Sequence, residues 1–93
     1  MRLFWTADAL EDRRVIYAFI EAENPEAALA LDETFSARAQ RLAAHPELGR
    51  PGRAAGTREL VVHRDYVLIY DTAEDRVRVL RVLHTARRWP PYV

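Results

Sequence analysis

Between His45 and Gly56 the hydrophobic pattern of this chain changes period, and that switch restricts the fold more than any other feature. Upstream, apolar residues recur every three or four positions. Downstream, they alternate or run in short β-branched stretches. The boundary holds Pro46, Gly49, Pro51, Gly52 and Gly56, residues that neither a helix nor a central strand tolerates well. A helical block followed by a strand block argues for an α+β fold rather than alternating β-α units.

The helical block divides again at Asn24-Pro25-Glu26. Asn is a good N-cap, and proline at the first helical position loses no hydrogen bond. The predicted second helix runs from Pro25 to Ala44, with Ala28, Leu31, Phe35, Ala39 and Leu42 on one face. The first helix is expected from Ala7 to Ala22, capped by Thr6. Its stripe is Leu10, Arg13, Ile16, Tyr17 and Ile20, apolar except for an arginine stem. So short a connection makes the two helices an antiparallel hairpin. His45 is placed to cap the end of the second helix, ahead of Pro46.

Arg2 to Trp5 reads as an edge strand. Beyond the glycines, Thr57–His63, Tyr66–Asp71 and Arg76–His84 read as strands, with turns at Arg64-Asp65 and Thr72–Asp75. The expected order is β-α-α-β-β-β in one domain over residues 1–93. A helical hairpin packs on one face of a small antiparallel sheet, and the other face stays open and carries polar residues. Simple alternation groups Arg76, Arg78, Leu80, Val82 and His84 on one face of the last strand; a bulge would reverse that phase. Pro90 and Pro91 keep the tail out of a helix.

Composition removes several chemistries. There is no cysteine and no lysine, and Ser36 is the only serine. Disulfides, thiolate nucleophiles, Schiff-base lysines and the P-loop lysine are therefore excluded. His45, His63 and His84 lack the spacing of a metal site, so no metal or cofactor is expected. No apolar run approaches the ~20 residues that span a bilayer, and no signal peptide is evident, so the expected location is the cytoplasm. The formal net charge is zero. Residues 1–49 carry five arginines against nine acids, and residues 50–93 nine against five. Either the halves face each other in the fold, or the second half meets an anionic partner.

Helical hairpin, Pro46-Glu47-Leu48-Gly49-Arg50-Pro51-Gly52, Gly56-Thr57-Arg58-Glu59-Leu60-Val61-Val62, Tyr66 to Tyr70, and Leu80-Arg81-Val82-Leu83-His84-Thr85-Ala86-Arg87 follow in order. Over nearly its whole length the chain resembles the RelE/ParE superfamily of bacterial type II toxins. The resemblance implies a growth-inhibiting toxin wrapped and neutralised by a cognate antitoxin with an acidic, amphipathic tail. ParE-like members inhibit DNA gyrase. RelE-like members cleave mRNA, usually on the ribosome.

The two activities ask for different residues. RNA cleavage needs a base, an acid and cations at the phosphate. The RelE pattern enters its third strand with Gly-Tyr-Arg; here Asp65-Tyr66-Val67 stands instead, and the strand lysines are absent. YafQ-like enzymes use histidine and aspartate, which makes Arg58, Asp65, Arg81 and His84 the candidate catalytic set of an endonuclease. Asp65 also suits a hairpin turn, and His84, at the end of a strand, also suits a hydrogen bond to the loop. Tyr92 is the one tyrosine near the C-terminus. On the ParE-like reading, favoured by the ending from Leu80 to Arg87, Arg58, Arg81, Arg87 and Arg88 contact the target or the antitoxin. Trp89 then anchors a partner, or else closes the end of the core.

Overall fold

The computed structural model describes residues 1–86. Strand β1 spans Arg2–Trp5, helix α1 Ala7–Glu21 and helix α2 Pro25–Ala44. Strands β2 (Arg50–Pro51), β3 (Arg58–His63), β4 (Tyr66–Ala73) and β5 (Arg76–His84) follow. The Thr6 hydroxyl oxygen accepts from the Ala9 N–H and its O–H donates to the Leu80 carbonyl. One side chain thus starts α1 and fastens it to β5. The Asn24 side chain accepts from the Ala27 N–H at 3.0 Å, as an N-cap should. His45 ends α2 through its backbone N–H, which donates to the Arg41 carbonyl.

The arginine in the apolar stripe of α1 has a partner. Arg13 donates two hydrogen bonds to the Asp32 carboxylate, both at 2.9 Å, and one to Ser36 at 2.8 Å. Its guanidinium carbon lies 4.4 Å from the centre of the Trp5 ring. A single cation therefore joins β1, α1 and α2, by ion pairing and by attraction to the ring face.

The described residues form a sheet of five strands in the order β1-β5-β4-β3-β2. It is mixed rather than antiparallel, because β1 pairs with β5 in parallel. No turn connects those two strands, so local signals do not set their relative direction; the crossover through both helices does. The short β2 was expected as loop. Pro51 cannot donate, but an outermost strand tolerates that. The β4–β5 hairpin is also tighter than the four-residue turn expected. Thr72 and Ala73 pair with Val77 and Arg76, leaving Glu74-Asp75 as the turn, with Glu74 at φ 58°.

The register shifts between Ile69 and Tyr70, which pair with Arg81 and Val79. Leu80 is the additional residue. The phase of β5 reverses there, so Val82 joins Val77 and Val79 in the core under the helices. Leu83 packs with Val67 and Ile69 in a second cluster. Strict alternation through Leu80 is thus corrected by the bulge, and the polar outer face expected for the sheet carries a buried apolar patch. The main core also buries Phe35, Ala39 and Leu42 of α2, whereas α1 buries only Ala9 in it and packs Ile16 half-buried against it. Each large buried apolar side chain contributes about 1.5–3 kcal/mol. Helix α2 is therefore the anchor of the helical layer, and α1 leaves apolar surface uncovered.

Candidate functional site

A cleft of about 530 Å³ opens between the hairpin and the end of the sheet that carries the β3–β4 turn. Phe19, Ile20 and Leu31 wall its helical side; His63, Asp65, Tyr66 and His84 come from the sheet. Register explains the grouping. Tyr66 pairs with His63 on one side and His84 on the other. His63 reaches that position because β3 shifts register between Val61 and His63. The ring centre of Tyr66 lies 6.0 Å from that of His63, 5.4 Å from that of His84 and 5.6 Å from that of Phe35.

Backbone contacts hold both imidazoles. The Asp65 N–H donates to His63 Nδ1 and the Ala86 N–H donates to His84 Nδ1, each at 3.1 Å. Nδ1 is then the acceptor, so the neutral ring carries its proton on Nε2. Both rings keep a donor for a ligand. The Thr85 N–H donates to the Asp65 carbonyl at 2.8 Å, tying the turn to the end of β5. Burial pushes the Tyr66 phenol above its ordinary pKa, and the Asp65 charge adds to the shift. The group is a neutral phenol at neutral pH. The cleft thus offers hydrogen-bond donors, one carboxylate and an apolar wall.

The two arginines of the expected catalytic set do other work. Arg58 stands at the far end of β3 from the cleft, about 17 Å along the strand by its rise per residue. Its Nη1 donates to the Gly49 carbonyl at 2.7 Å. Arg81 is closer, since it borders a shallow depression with His84. Its Nε and Nη2, one edge of the guanidinium, donate to the two carboxylate oxygens of Asp12, at 2.7 and 2.9 Å. The hydrogen bond with Asp12 raises the Arg81 pKa further. The fold therefore gathers Asp65 and His84, adds His63 and Tyr66, and leaves Arg58 apart. Arg87, Arg88, Trp89 and Tyr92 lie outside the described residues.

Glu59 was not singled out as a site residue. It is only 4% exposed and is the sole buried charged residue among those described. Arg50 and the Arg53 N–H donate to its carboxylate, at 3.2 and 3.1 Å. Its signal was an acid inside an apolar strand just after an arginine-bearing loop. Val67, at the position of the RelE arginine, is buried with Ile69 and Leu83.

At the cleft rim, Phe19 is 78% exposed, and Val15 and Leu10 are exposed elsewhere on α1. Among the described residues, no group of acids and histidines is arranged to hold a metal ion. No described helix is long and apolar enough to cross a membrane.

Comparison with known proteins gives a consistent result. Residues 3–89 match the family model of the ParE toxin of the type II toxin–antitoxin system parDE. Y4kP of Sinorhizobium fredii is 38% identical over 90 residues, covering 96% of this chain and 93% of the relative. Toxin RelE2 of Caulobacter vibrioides is 37% identical over 86 residues, covering 92% and 97%. A solved chain of the chromosomal ParDE system of P. aeruginosa superposes with a TM-score of 0.82 at 26% identity, covering 90% of this chain and 95% of that one. The chain belongs to the ParE toxin family of type II toxin–antitoxin systems.

Proposed function

We propose that this toxin inhibits growth by binding DNA gyrase in the cytoplasm without catalysing a covalent step, and that its cognate antitoxin neutralises it. The antitoxin follows from family membership. The observation carrying the gyrase reading is the commitment of Arg58 and Arg81 to Gly49 and Asp12. Phosphoryl chemistry on RNA needs cations free to meet a charged transition state. Freeing Arg81 would leave the Asp12 carboxylate without its counter-charge, held only by the Val82 N–H, at a cost the substrate would have to offset. Buried Val67 in place of the RelE arginine supports the same reading. A supercoiling assay with purified toxin tests it. Loss of supercoiling at stoichiometric toxin is expected, and unchanged gyrase activity rejects the reading.

A second reading draws on the cleft. His84 lines the cleft with an Nε2–H donor suited to a phosphate oxygen, and Asp65 supplies a carboxylate, the base such cleavage needs, within the same cavity. Together they favour an mRNA endonuclease acting on the ribosome. Primer extension on translated mRNA after induction separates the two. New cleavage ends that disappear in His84→Ala favour the nuclease; an unchanged end pattern favours gyrase.

A further inference from the structure

The two edges of the sheet are not equally protected. Along β5, beyond the end of β1, the Thr6 hydroxyl meets the Leu80 carbonyl and Asp12 accepts from the Val82 N–H. Along β3, the two-residue β2 pairs only with Arg58 and Glu59. Among the described residues, Leu60 to His63 have no strand on their outer side. The Val61 carbonyl points outward and meets one long contact, the Arg38 Nη2 at 3.4 Å. Val61 itself is 47% exposed. An open edge of this kind is a template for another strand.

The charge beside this edge has one sign. Arg38 and Arg41 lie one turn apart on α2, so they occupy neighbouring positions on that helix. Arg64 stands at the turn that ends β3 and is mostly exposed. Arg53 lies near the other end, after β2. Of the nearby acids, Glu59 is buried and bound to Arg50, Asp65 is 3.6 Å from Arg64, and Glu47 is in the loop before β2. Among the described residues, the guanidinium groups of Arg38, Arg41 and Arg53 have no carboxylate partner.

We propose that the outer edge of β3, from Leu60 to His63, is a strand-addition site for an extended acidic segment of the antitoxin. A backbone N–H of the incoming segment donates to the Val61 carbonyl and displaces the weak Arg38 contact. The released guanidinium then pairs with a carboxylate of the segment, and Arg41 and Arg64 bind others. Main-chain bonds supply the docking geometry, and the arginines select an acidic segment over a neutral one. This proposal rests on the antitoxin as partner and is independent of the gyrase reading.

The test uses the full-length toxin and its full-length cognate antitoxin. Val61→Pro removes an N–H on the open edge, where proline is tolerated. Arg38→Glu reverses the charge. Each is expected to weaken antitoxin binding at least tenfold by calorimetry, with the far-UV circular dichroism of the free toxin unchanged. Affinities within twofold of the wild type for both variants overturn the proposal. If Val61→Pro does not fold, hydrogen exchange on the wild type decides. The Val61 amide should exchange at least a hundredfold more slowly in the complex, and an unchanged rate overturns the proposal. Protection that arises in toxin alone at high concentration marks a second copy of this chain as the occupant and also overturns it. A toxin that leaves supercoiling intact but shows antitoxin-dependent Val61 protection rejects the gyrase reading and keeps this one.

Discussion

The Asp12 carboxylate bridges α1 and β5, accepting from the Arg81 guanidinium and, at 2.9 Å, from the Val82 backbone N–H. Both groups lie where β1 has ended and no described strand covers β5. The side chain does there what a neighbouring strand does elsewhere in the sheet.

Removing that carboxylate leaves a partly buried guanidinium and a backbone donor without their acceptor. Asp12→Ala is expected to cost about 2–3 kcal/mol of folding stability. Arg81→Ala should cost less, because Asp12 retains the Val82 N–H. Urea unfolding of both single variants and the double variant measures the difference. Equal costs for the two single variants would contradict this account.

Tyr70 controls how the glycine-bearing loop meets the sheet. Its buried hydroxyl donates to the Pro46 carbonyl and accepts from the Gly49 N–H. Tyr70→Phe leaves both groups unpaired and should cost about 1–3 kcal/mol. Burial raises the phenol pKa above its ordinary value; the hydrogen bond from Gly49 and the Arg58 charge oppose the shift, and the Glu47 charge adds to it. The folded state therefore favours the protonated phenol. This contribution is complete below the unfolded value of about 10 and is lost as pH rises through the folded one. Thermal melts above that pH should fall more steeply for the wild type than for Tyr70→Phe.

Gly49 is needed for close approach rather than for an unusual backbone. A Cβ there would lie 2.7 Å from the Tyr70 ring and hydroxyl and 2.9 Å from the Glu59 carbonyl. Gly49→Ala should destabilise by about 1–3 kcal/mol through overpacking. Chemical denaturation should show a lower midpoint with the slope unchanged.

Glu74 occupies the left-handed region at φ 58° in a two-residue turn. That conformation costs a non-glycine residue about 1–2 kcal/mol, part of which glycine returns through its freer unfolded chain. Glu74→Gly should stabilise the fold by about 0.5 kcal/mol. Calorimetry should then show a melting temperature higher by about 2–4 °C.

Phe19 contributes little to the core and much to the surface. Phe19→Asp should change stability by no more than about 0.5 kcal/mol. Exposed aromatics of this kind concentrate binding energy, so antitoxin affinity should drop at least tenfold. Paired unfolding and titration experiments test both halves of the expectation.

The element boundaries were largely legible because local chemistry sets them. Thr6, Asn24 and Pro25 start helices, Pro46 stops one, and Arg64-Asp65 turns a hairpin, all through contacts within a few residues. The split into a helical and a strand block followed from hydrophobic period alone. Tertiary structure decided what depends on distant partners. The direction of β1 depends on β5, more than seventy residues away. The bulge at Leu80 depends on pairing with β4, and it determines which of Val82 and Leu83 enters the main core. The candidate site divides in the same way. Asp65 and His84 were visible as residue types, but only the register across β3, β4 and β5 joins them to His63 and Tyr66. The acid that would occupy Arg81 came from α1, because a long guanidinium pairs with whatever carboxylate the packing brings within reach.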